Sequence, residues 1–378
     1  MLLCVTAISG QASELLTAGQ SFARELPGGT SHLYQLALAA DEYAQVELQS
    51  TQARLRLALL SGAGELITAI ADADAPGLKR LHIVAATPTH YRLSVVQESG
   101  RPVTAPYRLT LREKRAATTA DRERFALHIL SWEAVSLYRK QEKSALYQAA
   151  EKARAAATGW QALGEYECAG RMFERAGRSL FLLSEHKAGR EVFQQAIAAF
   201  QKAGARRAEA YSIGNLGLLE LADGEYRQSF SLAVRTLLFL QSTKDEEGMR
   251  SIRLLQAMHY RNIGEWQQAE ALCRQLLPEA DTNRIDEWDR VYREDVLMVL
   301  GIALAGQGRL SEGIRTLEEA LALSRPTSNQ LNVVTILVQL GMAHQMAGQS
   351  DKAREAFAQC AAASRQLGIR SYESQALS

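Results

Sequence analysis

The sequence predicts an α+β chain of two parts, a small antiparallel β-sandwich followed by an all-α solenoid of about six helix pairs. Apolar and polar residues alternate up to about residue 115, which is the two-residue period of half-buried strands. Beyond residue 125 the apolar spacing becomes helical, and a turn motif recurs about every 40 residues. Together these patterns indicate two differently built domains in one chain.

The composition is that of a folded protein and limits the classes of partner. Of the 378 residues, 47% are hydrophobic, and 43 basic side chains balance 42 acidic ones. A net charge of +1 argues against bulk electrostatic attraction to nucleic acid. The chain has no run of 18 apolar residues that could span a membrane. We therefore expect neither a nucleic-acid partner nor a membrane span.

The first twelve residues, MLLCVTAISGQA, allow two interpretations. The apolar run and its small-residue exit resemble the back half of a secretory signal peptide with cleavage after Ala12. The segment lacks the positively charged opening that such a signal needs, so a first apolar strand is the alternative. Export and a cytoplasmic location both remain open on this basis.

The alternation of apolar and polar residues over 13–115 predicts at least six strands, each with one apolar face. The residues expected to face the core are Tyr34/Leu36/Leu38, Ala44/Val46/Leu48, Leu55/Leu57/Leu59, Leu81/Ile83/Ala85, Tyr91/Leu93/Val95 and Tyr107/Leu109/Leu111. Segments rich in Gly and Pro separate these strands and supply the turns. About a hundred residues of this kind predict a small antiparallel sandwich.

The order of these strands resembles the bacterial pre-peptidase C-terminal-like domain. The pattern opens with Y-x-L-x-L at Tyr34–Leu38, continues with Y-x-L-x-V at Tyr91–Val95, and closes with Y-x-L-x-L at Tyr107–Leu111. The resemblance implies a sandwich fold for residues 13–115.

Few residues in the chain suggest catalysis or metal binding. Asp72 and Asp74 could hold calcium, but two carboxylates without further oxygen ligands favour a solvated turn. Cys168, Cys273 and Cys360 all lie in helical patterns, where they are expected to pack as small hydrophobes. No histidines are spaced three or four residues apart as metal ligands would be on a helix. We expect no cofactor, no metal site and no enzyme activity for this chain.

A polar linker is expected over residues 116–124, followed by a helical repeat array over residues 125–378. Turns begin at residues 184, 224, 264, 308 and 348, and small residues lie seven positions earlier at Gly177, Gly217, Ala257, Gly301 and Gly341. A second set of small residues follows the turns at Ala188, Ser229, Ala269, Gly313 and Ala353. Small residues at both places let two helices cross closely, and stacked pairs make a solenoid.

These positions resemble those of tetratricopeptide (TPR) repeats. The matching residues of two units are Gly217, Gly224 and Tyr226, then Ala257, Gly264, Trp266 and Ala269. The usual TPR period is 34 residues, so the period of about 40 predicts longer helices or longer turns between repeats. The first unit, Phe125 to Gly164, is less regular.

The whole arrangement resembles the regulatory half of bacterial CHAT proteins. The resemblance rests on the repeat junctions KAGARRAEA at Lys202–Ala210 and QLGIR at Gln366–Arg370, behind a pre-peptidase-like sandwich. In that family the repeats lead into a caspase-like cysteine protease domain with a His/Cys dyad, which these residues do not include. The tail after Gln366 repeats the frame of residues 202–214, so we expect the last repeat to be incomplete.

The TPR pattern also predicts a binding groove lined by positions two, five, six and nine of each first helix. The candidate residues are Arg171, Arg175, Arg178, Tyr211, Asn215, Leu218, Met258, Asp295, Met298, Gln339 and Met342. In peptide-binding TPR proteins an Asn at position six holds the ligand backbone and nearby basic residues hold acidic groups. The alternative is that the arginines are solvated and the methionines are buried between repeats.

A non-catalytic scaffold or sensor that binds a protein or peptide segment fits these features best. The ligand is either a separate protein or peptide, or an adjoining domain of the same polypeptide. The alternative function is the regulatory arm of a CHAT-type cysteine protease whose catalytic domain lies beyond Ser378. A transcriptional regulator is disfavoured because no helix-turn-helix or basic stripe accompanies the repeats. The oligomeric state is not predicted.

Overall fold

The computed structural model describes residues 14–50, 55–71, 77–97, 104–277, 287–324 and 330–367. The chain divides into two compact units, one of Met1–Ser136 with Lys152–Ala169 and one of Leu137–Glu151 with Gly170–Ser378. The predictions made for residues 1–12, for Asp72 and Asp74, and for the tail after Leu367 lie outside the described residues.

Nine strands in the described part of the first unit form two sheets. In chain order they are β1 (Glu14–Leu15), β2 (Ser21–Leu26), β3 (Ser31–Leu38), β4 (Glu42–Ser50), β5 (Leu55–Leu60), β6 (Leu66–Ala71), β7 (Leu78–Ala85), β8 (Thr89–Gln97) and β9 (Ala105–Ala116). The five-stranded sheet has the order β1-β3-β8-β5-β6, and the four-stranded sheet has the order β2-β9-β4-β7. Strands pair antiparallel except β1 with β3.

The core of the sandwich consists of the side chains that the alternation assigned to it. All eighteen predicted inward-facing residues, from Tyr34 to Leu111, are buried in one apolar cluster. The prediction missed β1, β2 and β6, each of which lies at the edge of a sheet. An edge strand such as β2 buries little besides Leu26, so its sequence carries only a weak alternation.

The linker expected over residues 116–124 is mostly helix, so that prediction is wrong. Strand β9 ends at Ala116, and the first helix already begins at Thr119. A capping box explains the early start. The Thr118 amide donates to Asp121 Oδ2 at 2.9 Å, and the Asp121 amide donates to Thr118 Oγ1 at 3.3 Å. Burial would raise the pKa of Asp121, but hydrogen bonds from Arg115 and Thr118 outweigh burial and lower it.

A pair of histidines on β7 and the first helix pack against each other inside the first unit. The rings of His82 and His128 stack with centroids 5.5 Å apart, and the Trp160 indole meets His128 edge-on at 4.9 Å. Thr68 Oγ1 donates to the His128 carbonyl oxygen at 2.9 Å. Burial lowers the pKa of His82 to about 4 and that of His128 to about 3. Both imidazoles are therefore neutral at pH 7 and pack as aromatic rings.

Twelve helices in the described residues make six consecutive pairs, as the repeat pattern predicted. They are α1 (Thr119–Tyr138), α2 (Lys143–Ala162), α3 (Tyr166–Leu182), α4 (His186–Ala203), α5 (Arg206–Ala222), α6 (Tyr226–Ser242), α7 (Glu246–Asn262), α8 (Trp266–Leu276), α9 (Glu287–Gly306), α10 (Leu310–Ser324), α11 (Gln330–Met346) and α12 (Ser350–Leu367). Each odd-numbered helix is the first helix of its pair.

The turns inside the pairs share one backbone conformation. Gly224 ends α5 at a φ of 81°, in the left-handed region that favours glycine, and the next amide, of Glu225, donates to the Glu220 carbonyl at 2.9 Å. Ser184 has the same role after α3 at a φ of 59°. The prediction that this turn begins at residue 184 is therefore confirmed, although the residue there is not glycine.

The small residues at the helix crossings are buried where the two helices of a pair touch. A Cβ added to Gly313 on α10 would lie 2.8 Å from the Gly301 carbonyl oxygen and 3.0 Å from the Ala305 amide nitrogen on α9. In the pair of α3 and α4 the matching residue is Gly189, so the prediction of Ala188 is wrong by one residue. Gly189 lies five positions after the turn start, as Gly313 does, which is the spacing that the prediction missed.

We expect Gly313→Ala to destabilise the solenoid, because the added methyl group meets backbone atoms that cannot move independently of the helices. The free energy of unfolding should fall by about 1 to 3 kcal/mol. Gly189→Ala is the matched control, because its added Cβ would approach only a terminal methyl of Leu219 at 3.0 Å, and all other atoms lie at 3.6 Å or more. Urea unfolding followed by circular dichroism measures both. Equal effects would contradict the account of the crossings.

Acid should destabilise the first unit through His82 and His128. The ordinary pKa of histidine is 6.5, and the folded values are about 4 for His82 and about 3 for His128. Unfolding therefore takes up protons below pH 6.5, and the free energy of unfolding falls as the pH drops toward 4. The expected loss is roughly 2 to 3 kcal/mol for each imidazole.

The variant His128→Phe keeps an aromatic ring at the same place without a titrating group. Its melting temperature, followed by tryptophan fluorescence, should fall less than that of the wild type between pH 7 and pH 4.5. His90→Phe changes an exposed histidine and should keep the wild-type pH dependence. If all three proteins lost the same stability on acidification, the histidine pair would not be the acid-sensitive element.

Candidate binding groove

The eleven candidate residues, from here on the groove set, all lie on first helices of the second unit. Helix α3 carries the three arginines, α5 carries Tyr211, Asn215 and Leu218, and the others lie on α7, α9 and α11. Nine of the eleven are partly exposed. The exceptions are Met298, which is buried, and Met342, which is 47% exposed.

At the α3 end of the groove set, two arginines share one aromatic ring. The guanidinium carbons of Arg175 and Arg178 lie 4.6 and 5.8 Å from the centroid of the Tyr138 ring. Such cation–π contacts orient a guanidinium against the aromatic ring. Tyr138 ends α1, far from α3 in sequence, and the repeat pattern gave no sign of its role.

Asn215 is held in position by a carboxylate from the preceding repeat. Its Nδ2 donates to Glu174 Oε1 at 2.9 Å, and Glu174 is buried on α3 beside Arg175. A primary amide has a second N–H and a carbonyl oxygen as well. Asn215 is therefore a fixed side chain with hydrogen-bonding capacity for a ligand backbone.

Tyr211 contributes to the packing between repeats. Its hydroxyl donates to Asp245 Oδ2 at 3.2 Å, and Arg207 Nε donates to the same oxygen at 2.7 Å. The other carboxylate oxygen of Asp245 accepts from the Gly248 amide at 3.1 Å and so caps α7. Burial raises the pKa of Tyr211 to about 12, which keeps the phenol protonated. The cluster ties α5 to α7.

The apolar side chains of the groove set differ in how deeply they are buried. Met298 belongs to the apolar cluster of the last two pairs, and Met258 and Leu218 pack at the edge of the cluster formed by α5, α6 and α7. Met342 is 47% exposed, and Met346, one turn further along α11, is 61% exposed. An exposed pair of flexible thioether side chains can adapt to apolar groups of different shape.

Two neighbouring carboxyl groups, of Glu294 and Asp295, lie near the middle of α9. Glu294 is fully buried, and neither of its carboxylate oxygens has a hydrogen-bond partner in the described structure. Asp295 Oδ1 accepts from Asn332 Nδ2 at 2.9 Å. Burial raises the pKa of Asp295 to about 7, with a further contribution from Glu294, whose own pKa burial also raises. The sequence identified Asp295 but not its buried neighbour.

Few side chains among the described residues suggest catalysis or metal binding. Burial raises the pKa of Cys273 to about 12, which disfavours the thiolate, and burial also raises the pKa of Cys360. Within the described ranges, no three His, Cys, Asp or Glu side chains come together as a metal site would require. None of the described helices is long and apolar enough to cross a bilayer.

Comparison with known families supports the repeat assignment. Residues 292–366 match the family model of the tetratricopeptide repeat. The match covers most of α9 to α12, the last two described pairs. TPR repeats therefore form at least this part of the solenoid. No curated protein sequence matches the chain significantly.

Solved TPR-like structures share the fold of the solenoid. NprR in complex with its cognate peptide NprX is 14% identical, with a TM-score of 0.54, over 69% of this chain and 71% of that chain. A Rap protein complexed with Competence and Sporulation Factor is 12% identical, with a TM-score of 0.57, over 69% of this chain and 70% of that chain. At these identities the likeness shows the fold alone.

A third solved structure that matches is of the domain type that the strand pattern resembles. The pre-peptidase C-terminal domain of a collagenase from Bacillus anthracis is 11% identical, with a TM-score of 0.23, over 29% of this chain and 100% of that chain. That score is too low to assign the sandwich to this domain type.

Proposed function

We propose that this chain is a non-catalytic scaffold or sensor whose solenoid binds an extended peptide segment along the groove set. The observation that carries the proposal is the fixed Asn215 amide, which the buried Glu174 orients at 2.9 Å. Prior orientation matters because a rigid side chain loses little conformational entropy when it binds a ligand. An amide with free donor and acceptor capacity pairs naturally with a peptide backbone.

The charged and apolar groups around Asn215 suggest how a peptide would lie. Arg175 and Arg178 at the α3 end can donate to a carboxylate, either a side chain or the carboxyl terminus of the ligand. The exposed Met342 on α11 offers an apolar contact at the far end of the groove set. The complexes of NprR with its cognate peptide NprX and of a Rap protein with Competence and Sporulation Factor, which share the fold, are consistent with this use of the solenoid.

A second candidate function is the regulatory arm of a CHAT-type cysteine protease, with an adjoining domain as the ligand. The junction KAGARRAEA favours this candidate, because it gives the repeats their resemblance to that family. Sequencing the gene beyond the codon for Ser378 tests this directly. A following domain with a His/Cys dyad would support it, and a stop codon at that point would exclude it.

The groove proposal predicts that Arg175→Ala/Asn215→Ala weakens peptide binding by about 10-fold or more, since each substitution removes a group that hydrogen-bonds the ligand. Binding of a random octapeptide library to the immobilised chain, followed by titration of the best binder, gives the dissociation constants. Arg227→Ala/Gln228→Ala is the matched control, because both side chains lie exposed on α6.

The control variant should bind the selected octapeptide as the wild type does, and circular dichroism should show that both variants keep their helix content. Unchanged affinity of the Arg175/Asn215 variant would exclude the groove set as the binding surface.

A further inference from the structure

Helix α9 differs from the other first helices of the second unit at its first two repeat positions. Glu294 and Asp295 occupy positions one and two there. The corresponding pairs on the other helices are Gly170/Arg171, Ala210/Tyr211, Arg250/Ser251 and Val334/Thr335. Two adjacent carboxylates are thus specific to this repeat, so repeat packing does not demand them.

The two carboxyl groups converge on one amide. Asn332 on α11 donates its Nδ2 to Asp295 Oδ1 at 2.9 Å, and the same amide lies near enough to Glu294 to affect its pKa. Glu294 is 0% exposed, and both of its carboxylate oxygens lack a hydrogen-bond partner in the described structure. A buried carboxylate with no partner is costly, so such a group stays protonated unless a cation compensates its charge.

No basic side chain of the described residues forms an ion pair with this carboxylate pair. The adjacent Arg293 on α9 is paired instead, with Nη2 lying 2.9 Å from Glu319 Oε1 on α10. Asp295, a member of the groove set, is partly exposed, whereas its neighbour Glu294 is fully buried. The site is therefore an acidic position of the groove set that no basic side chain of the described residues neutralises.

We propose that Asp295, Glu294 and Asn332 form a subsite for a cationic N–H donor of the bound peptide, a lysine or N-terminal ammonium or an arginine guanidinium. The inference rests on the proposed function, because it places a side chain of the same ligand. Asp295 contacts the cation first, Glu294 adds the second negative charge when the cation is bound, and Asn332 holds Asp295 in place through its 2.9 Å hydrogen bond. The arginines of α3 and this subsite give the groove set opposite charges at separate positions.

A metal ion fits these residues less well than an organic cation does. Calcium takes six to eight oxygen ligands, and magnesium needs a near-octahedral set. Here the site offers two carboxyl groups, and no third acidic side chain joins them among the described residues. Ammonium and guanidinium groups need only two or three acceptors, which the site supplies.

The test uses octapeptide libraries in which one position is fixed as Lys, Arg, Glu or Leu, with blocked and with free amino termini. The wild-type chain should prefer Lys or Arg at one position, or a free amino terminus, by about 10- to 100-fold over Leu, the range expected of a charge-assisted hydrogen bond in a buried site. A free-terminus preference identifies the peptide amine as the cation, and a side-chain preference identifies Lys or Arg.

The variant Glu294→Gln/Asp295→Asn keeps the shapes of both side chains and should lose this preference while retaining binding through the α3 end. Asp351→Asn/Glu355→Gln removes the same charge from the exposed face of α12 and should keep the preference. As a second variant, Asp295→Lys should shift the selected residue from Lys or Arg to Glu.

The possible outcomes separate the subsite from the groove. If the wild type binds octapeptides without a cationic preference, or the double amide variant keeps that preference, the subsite is wrong and the groove proposal stands. If no octapeptide binds, or binding is insensitive to Arg175→Ala/Asn215→Ala, both proposals are wrong. Circular dichroism of each variant confirms that lost preference does not reflect lost folding.

Discussion

The close crossing of paired helices is the constraint on which the rest of the second unit depends. At Gly301 and Gly313 the two backbones approach until even a methyl group would collide with a carbonyl oxygen. Such contact fixes which side of each first helix is buried against its partner. Packing between the paired helices does not constrain which residues occupy the remaining face of each first helix. Asn215, the α3 arginines and Asp295 all lie there, which explains how polar side chains persist within a tightly packed solenoid.

Much of this architecture could be predicted from the sequence because periodicity reports burial directly. The two-residue alternation gave the sandwich core from Tyr34 to Leu111, and the period of about 40 gave six helix pairs. Edge strands such as β2 were missed because few of their side chains are buried, so their sequences show little alternation. The start of α1 was misplaced because polar composition suggested a linker, whereas Thr118 and Asp121 cap a helix.

The side-chain partnerships were beyond sequence reasoning because they join residues about 30 to 50 positions apart. His82 and His128 stack across the sandwich and α1, and Glu174 orients Asn215 from another repeat. The repeat pattern did not single out Glu294, yet this residue is fully buried. These groups share one property, a polar or titratable atom whose burial must be compensated. Compensation comes from aromatic stacking in the first case, a hydrogen bond in the second and, on our proposal, a ligand cation in the third.

On our proposal, the first-helix face of the solenoid binds an extended peptide. Hydrogen–deuterium exchange of the chain with and without the best-binding octapeptide maps the contact surface without assuming which side chains matter. We expect slower amide exchange in α3, α5, α9 and α11 on peptide binding, with α4, α6 and the sandwich unchanged. Protection confined to the second helices or to the strands would contradict it.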